Sequence, residues 1–200
     1  MKIKICGLFR PEDIDYVNEA RPDYIGFVFA KSRRHVSYKE AECLRDKLAS
    51  GIVPVGVFVN TPAEEIATLY CGGVIELAQL HGCENEEYIT SLKNLCSIPV
   101  IKTIFSSLIS GPWSPVPADY YLFDSGAGSG NTFNWELLEP EKIEKPWFLA
   151  GGVNLDNIEQ AMALNPYAVD ISSGVETEGT KDRKKILQLT LRVKREWKAK

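Results

Sequence analysis

"VPVGVFVNTPAEEIATLYCGGVIELAQL" (53–80) holds the pattern that decides the fold. It opens on an apolar run, 53–59, with no polar residue in alternation. A strand with one wet face alternates apolar and polar residues. An unbroken run reads as a strand covered on both faces, as in parallel sheets. Thr61-Pro62 then opens a helical stretch over 61–71, proline being tolerated in a first turn. A second apolar run follows at 74–80. Strand, helix and strand in so short a span is one βα unit handed on to the next strand.

The same alternation extends both ways. Upstream, "IKIC" (3–6) precedes the helical pattern "PEDIDYVNEA" (11–20), and "YIGFVF" (24–29) precedes "SYKEAECLRDKLA" (37–49). In the latter, Ser37 and Glu40 make an S-x-x-E capping box. Downstream, "NEEYITSLKNL" (85–95) leads to "PVIKTI" (99–104), then "DYYLFD" (119–124), "NWELLEPEKI" (134–143) and "PWFLAG" (146–151). "NLDNIEQAMAL" (154–164), "YAVDIS" (167–172) and a last helix from about Lys181 complete the chain. Eight strand candidates in 200 residues predict a compact α/β fold, a (β/α)8 TIM barrel. A doubly wound parallel sheet shares the local pattern and stands as the alternative. No Pro/Ser linker divides the chain, so residues 1–200 are expected to form a single domain. One unit departs from the rule: Pro112, Pro115 and Pro117 forbid a regular helix through the second half of 106–120, so the fifth outer helix is expected to be reduced or missing.

The formal charge of −4 argues against a general nucleic-acid binder. Five cysteines, with no C-x-x-C pair, read as free thiols of a reducing cytoplasm rather than a disulfide framework. His35 and His81 lack the spacing of a metal motif, so no metal is expected. The N-terminus shows no signal-peptide h-region, and no apolar run spans a bilayer.

In a barrel the chemistry gathers where strands end. The residues there are Cys6-Gly7, "KSRRHV" (31–36), Asn60, "QLHG" (79–82), Lys102, "DSGAGSG" (124–130), "AGGV" (150–153) and "DISSGVE" (170–176). Each has two readings. The glycine-rich ends at 150–153 and 170–176 are either tight turns or an anion nest in the place where barrels hold phosphate. "GAGSGN" fails G-x-G-x-x-G, and there is no G-K-[ST], so nucleotide motifs are not supported. Asp124 is a turn cap or a general acid. Cys6 is a structural thiol or a base that needs a cationic neighbour to ionise. The basic loop is a solvated face or a carboxylate-binding fork. His81 donates to a ligand or to a backbone carbonyl.

Taken in order, "KICG", S-x-R-x-V (Ser32, Arg34, Val36), "QLHG", "LFDS" with "GSGNTFNW", "LAGGV" and "DISSGVE" with the later G-x-K-D resemble phosphoribosylanthranilate isomerase, and the match runs through the whole chain. The resemblance implies a (β/α)8 barrel. It also implies an Amadori rearrangement in tryptophan biosynthesis, with no metal or organic cofactor. It assigns the general base to Cys6 and the general acid to Asp124. It gives the substrate carboxylate to Arg34 and the phosphate to Gly151, Gly152, Ser172 and Ser173, and it sets His81 and Asp170 near the sugar. The implied partner is a small-molecule substrate, with no nucleic acid and no membrane, in a cytoplasmic monomer or homodimer. One departure is "FNW" (133–135) where the family usually has "FDW"; it touches no assigned role. Competing classes are an indole-glycerol-phosphate synthase-like lyase, which needs a catalytic lysine and glutamate, and a non-catalytic phospho-sugar-binding barrel. A metal-dependent epimerase lacks ligands here. An isomerase of dual specificity would carry an aspartate where Cys6 stands.

Overall fold

The computed structural model describes residues 1–106, 115–125 and 135–197. Eight parallel strands close into a barrel in the order β1 to β8, with β8 returning to β1. They are β1 (Lys2–Cys6), β2 (Tyr24–Val28), β3 (Val53–Phe58), β4 (Leu77–Leu80), β5 (Val100–Phe105), β6 (Tyr120–Asp124), β7 (Trp147–Leu149) and β8 (Ala168–Ile171). The closing pair sets Lys4 beside Asp170, across almost the full length of the chain. The doubly wound alternative is thereby excluded.

Six α-helices are described: α1 (Pro11–Ala20), α2 (Tyr38–Arg45), α3 (Ala63–Cys71), α4 (Glu86–Leu95), α5 (Ile158–Ala163) and α6 (Arg183–Trp197). Their starts follow local chemistry. Ser37 and Glu40 form the expected capping box on α2, each side chain meeting the other's backbone N–H. Asn85 caps α4 by accepting from Tyr88 N at 3.0 Å. Asp13 is fully buried and holds the start of α1, accepting from the Phe9 and Arg10 amides and from the Arg10 guanidinium. The Thr-Pro start of α3 differs from expectation. The cap position is Pro62, whose carbonyl takes the first helical bonds, and the Thr61 carbonyl accepts from Tyr88 Oη instead.

Two connections are thinner than full βα units. The proline-bearing link after β5, where the sequence predicts a reduced helix, falls largely on residues outside those described; its described end, 115–119, is irregular. After β6 the described part holds two 3-10 turns, Trp135–Leu137 and Pro140–Lys142. Helix α5 is shorter than the sequence pattern because Asn154 and Asn157 turn the chain with their side chains first. A hairpin of β9 (Glu176–Thr177) and β10 (Thr180–Lys181), unforeseen in the sequence, lies between β8 and α6.

Strand alternation sorts the core into two layers. Outward residues such as Ile3, Ile5, Ile25, Phe27 and Leu80 are buried against the helices. Each such side chain contributes roughly 1.5–3 kcal/mol by leaving water. Inward residues Val55, Leu77, Ile101, Leu122 and Phe148 fill the lower barrel. Below them Tyr24, Tyr120 and Tyr167 pack against Phe148 and one another, edge to face and tilted, with ring centroids 5.4–5.8 Å apart. This aromatic floor leaves the hollow of the barrel at the carboxyl ends of the strands. Among the described residues no helix is long and apolar enough to cross a membrane.

Candidate active site

Above the apolar layer the inward residues turn polar. On β1 the alternation that sends Ile3 and Ile5 outward turns Lys4 and Cys6 inward. Beyond β4 it turns His81 inward after Gln79, and at the end of β6 it brings in Asp124. Asp170 and then Ser172 come from β8 and its loop. A cavity of about 510 Å³ opens here, and all nine site residues named from the sequence line it. Asn60 and Lys102, also singled out at strand ends, do not. Lys102 faces the helix layer, where it donates to Gly82 O at 2.7 Å and to Glu84 at 2.9 Å. Asn60 ties the neighbouring loop by accepting from Cys83 N.

Cys6 is buried at the strand end, facing Gly26 of β2 in register. Gly26 is required there: a Cβ on it would sit 2.6 Å from Cys6 Sγ. Burial pushes the Cys6 thiol above its ordinary pKa, with Lys4 and Lys181 pulling the other way. Gly7 follows with φ +79°, and a Cβ on it would meet Arg34 Cδ at 2.4 Å. The opening "CG" thus combines a thiol at the cavity wall with a turn that makes room for an arginine.

Arg34 is gripped from behind. Its Nε and Nη2 lie 2.7 and 3.1 Å from the two oxygens of Glu176, a bidentate fork. Arg33 and Lys181 meet the same carboxylate. Burial opposes the Glu176 charge, but the bonds from Arg34 and Lys181 prevail and draw its pKa down to about 2. Three cations share one anion, so this wall of the cavity stays positive. Glu176 and Lys181 went unassigned in the sequence reading; the G-x-K-D stretch after "SSGVE" was their signal, and the β9–β10 hairpin is what brings Lys181 back to Glu176.

Gly151 and Gly152 leave β7 with φ of +81° and +75°. A Cβ on Gly151 would meet Ser125 N at 2.8 Å. Ser172 donates to Cys6 O at 3.1 Å and thereby joins the loop after β8 to the end of β1. On the other side, His81 Nε2 lies 3.7 Å from Asp124 Oδ2. Burial lowers the His81 pKa, against the pull of Asp124, and so favours the neutral ring. Asp170 Oδ2 accepts from Lys4 at 2.8 Å; its Oδ1 is buried with no hydrogen-bond partner among the described residues.

The geometry matches a known set of proteins. A family model described as N-(5'phosphoribosyl)anthranilate (PRA) isomerase covers residues 3–191. The chain belongs to the phosphoribosylanthranilate isomerase family. A protein of that name from Clostridium acetobutylicum is 43% identical over 203 residues, covering 98% of each chain. Among solved structures, the phosphoribosyl anthranilate isomerase of Thermus thermophilus superposes with a TM-score of 0.86 at 33% identity, covering 98% of this chain and 99% of its own. Another phosphoribosyl anthranilate isomerase was solved in complex with reduced 1-(o-carboxyphenylamino)-1-deoxyribulose 5-phosphate. It matches with a TM-score of 0.80 at 30% identity over 97% of this chain and 98% of its own. The phosphoribosylanthranilate isomerase expectation drawn from "KICG" and its companion motifs is thus confirmed at the level of fold and family.

Proposed function

We propose that this chain performs the Amadori rearrangement of N-(5-phosphoribosyl)anthranilate to 1-(2-carboxyphenylamino)-1-deoxyribulose 5-phosphate, by acid and base catalysis from Asp124 and Cys6. The observation that carries the reading is one cavity lined by a carboxyl group, a thiol, a cationic wall and two glycine- and serine-rich loops. In the first step Asp124 protonates the furanose ring oxygen, and the C–O bond opens as nitrogen forms the iminium. The iminium acidifies C2. Cys6 as thiolate takes the C2 proton, and the electron pair left behind becomes the enolamine, which tautomerises to the ketone. Proton transfers of this kind are each worth about 10²–10⁴-fold.

The anchors follow from charge. Arg34, backed by Glu176, keeps its remaining guanidinium edge for the anthranilate carboxylate. The turns at Gly151-Gly152 and Ser172-Ser173 hold the phosphate, as is usual for the last two loops of such barrels. Asp170 Oδ1 faces the sugar hydroxyls, with the His81 ring beside them. Two anchors at the ends of the substrate fix the reacting carbons between acid and base. In this reading the chain works in the cytoplasm on a small-molecule substrate, as a monomer or homodimer.

The lyase alternative loses support because the Lys102–Glu84 pair is turned away from the cavity. The test is to generate phosphoribosylanthranilate in the cuvette, add the protein with chelator present, and follow anthranilate fluorescence. A catalysed decay is expected. A folded protein that binds the phospho-sugar without catalysing decay would replace this reading with the binding-only one.

A further inference from the structure

A line of polar side chains runs across the floor of the cavity from the base side to the acid side. The Lys4 ammonium lies 2.8 Å from Asp170 Oδ2 and 2.7 Å from Gln79 Oε1. Gln79 Nε2 lies 3.1 Å from His81 Nδ1, and His81 Nε2 faces Asp124. The Lys4 and Gln79 donors in this line have fixed directions. An ammonium has no acceptor, so the Gln79 atom it meets is the oxygen. The amide nitrogen then points to His81, and an amide NH2 only donates. Nδ1 must offer its lone pair. Thr103 Oγ1, 2.9 Å from the same nitrogen, fits as a second donor to it. A neutral ring in this setting carries its proton on Nε2.

We propose that Lys4 and Gln79 are positioning residues that lock His81 in the Nε2–H tautomer, so that the ring presents a donor to Asp124. Asp124 gives its proton to the ring oxygen and is left as a carboxylate. The His81 N–H then donates a hydrogen bond to that carboxylate and keeps its own proton. At 3.7 Å the pair is longer than a hydrogen bond, and such contacts commonly tighten in the reacting complex. The opposite tautomer would turn a lone pair toward the developing charge. Lys4 thereby serves both partners of the reaction: it faces Cys6 directly and reaches Asp124 through two side chains.

The catalytic half of this inference rests on Asp124 as the acid; the tautomer does not. The experiment is two-bond ¹H–¹⁵N correlation spectroscopy on ¹⁵N-histidine-labelled full-length protein. The chain has only two histidines, and His81→Asn assigns the signals. The wild-type His81 ring is expected to be protonated on Nε2 alone. Gln79→Glu keeps the size but supplies a carboxylate that accepts from Lys4 and from Nδ1–H, so Nδ1 becomes protonated. With it kcat falls about 10- to 150-fold, the worth of one hydrogen bond to a charged group, with KM little changed. Gln79→Met, which removes the donor, is expected to lose the single-tautomer pattern and serves if the glutamate variant does not fold. A wild-type ring protonated on Nδ1 overturns the lock, as does an unchanged ring in Gln79→Glu. Unchanged kcat with a switched ring overturns the catalytic half. Full turnover in Asp124→Asn would instead remove the acid while leaving the tautomer result standing.

Discussion

Gly26→Ala tests whether the Cys6 thiol must stand where the structure puts it. The added methyl would lie 2.6 Å from Sγ, 3.2 Å from Cys6 Cα and 3.3 Å from its Cβ. A comfortable contact is roughly 3.5–4.0 Å, so the sulfur has to retreat by about 1 Å while β1 yields by a few tenths. The backbone of Gly26 is not left-handed, so the effect is one of space alone. Overpacking of this kind costs about 1–3 kcal/mol, offset by about 0.4–1 kcal/mol of unfolded-state entropy from replacing glycine. The net loss is about 1–2 kcal/mol in a urea melt. A displacement of about 1 Å in a reacting group costs on the order of 10²-fold, so kcat in the fluorescence assay should fall by about that factor. The control is the same change in a Cys6→Ala background, where the colliding sulfur is gone. There the stability cost should shrink by about 1 kcal/mol, the coupling expected of touching residues. A Gly26→Ala enzyme with wild-type kcat, or an equal stability cost in both backgrounds, would refute the reasoning.

Cys6→Ser and Asp124→Asn should each lower kcat by about 10²–10⁴-fold while retaining product affinity, measured by titration with the ketose product. Because burial raises the Cys6 pKa, kcat/KM should keep rising with pH past about 8.5, the value of an ordinary thiol; a plateau reached below pH 7 would contradict this. Glu176 has its pKa lowered to about 2, so its stabilisation is full above its unfolded value of about 4.3 and is lost as pH falls through 2. Those two pKa units are worth about 3 kcal/mol. Urea melts at pH 5 and pH 2 should show that increment in wild type and not in Glu176→Gln, which should also be the less stable protein at pH 7.

Much of the fold was legible because each βα unit writes itself locally: an unbroken apolar run, a cap and a helical stripe. Ring closure was not. The pairing of β8 with β1 is a contact between the chain's two ends, and no local pattern separates a barrel from an open sheet. The cavity-lining residues were legible because strand ends collect at one face, and the family motifs named them in order. What escaped were residues that act through others. Lys4 sits between Ile3 and Ile5, and a lysine in a short strand reads as a solvent-facing side chain; its burial depends on Asp170. Gln79 has no chemistry of its own to attract notice. The Glu176–Lys181 pairing needed the turn at Glu178-Gly179, where φ values of +51° and +82° fold the chain back on itself. Thr61 failed as a cap because Pro62 keeps an extended ψ of 137° and the helix starts one residue later.

The Lys4–Asp170 bond also bears on how the protein reaches its native state. The cation belongs to the first strand made and its counter-charge to the last, 166 residues later. A partial barrel that buries Lys4 before β8 arrives leaves the ammonium group without its anion, at a cost of several kcal/mol. Compact fragments that bury Lys4 are therefore penalised and the finished ring is rewarded. The thiol two residues along β1 shares in this: it meets Asp170, Lys181 and the loop after β8 only when the circle is complete.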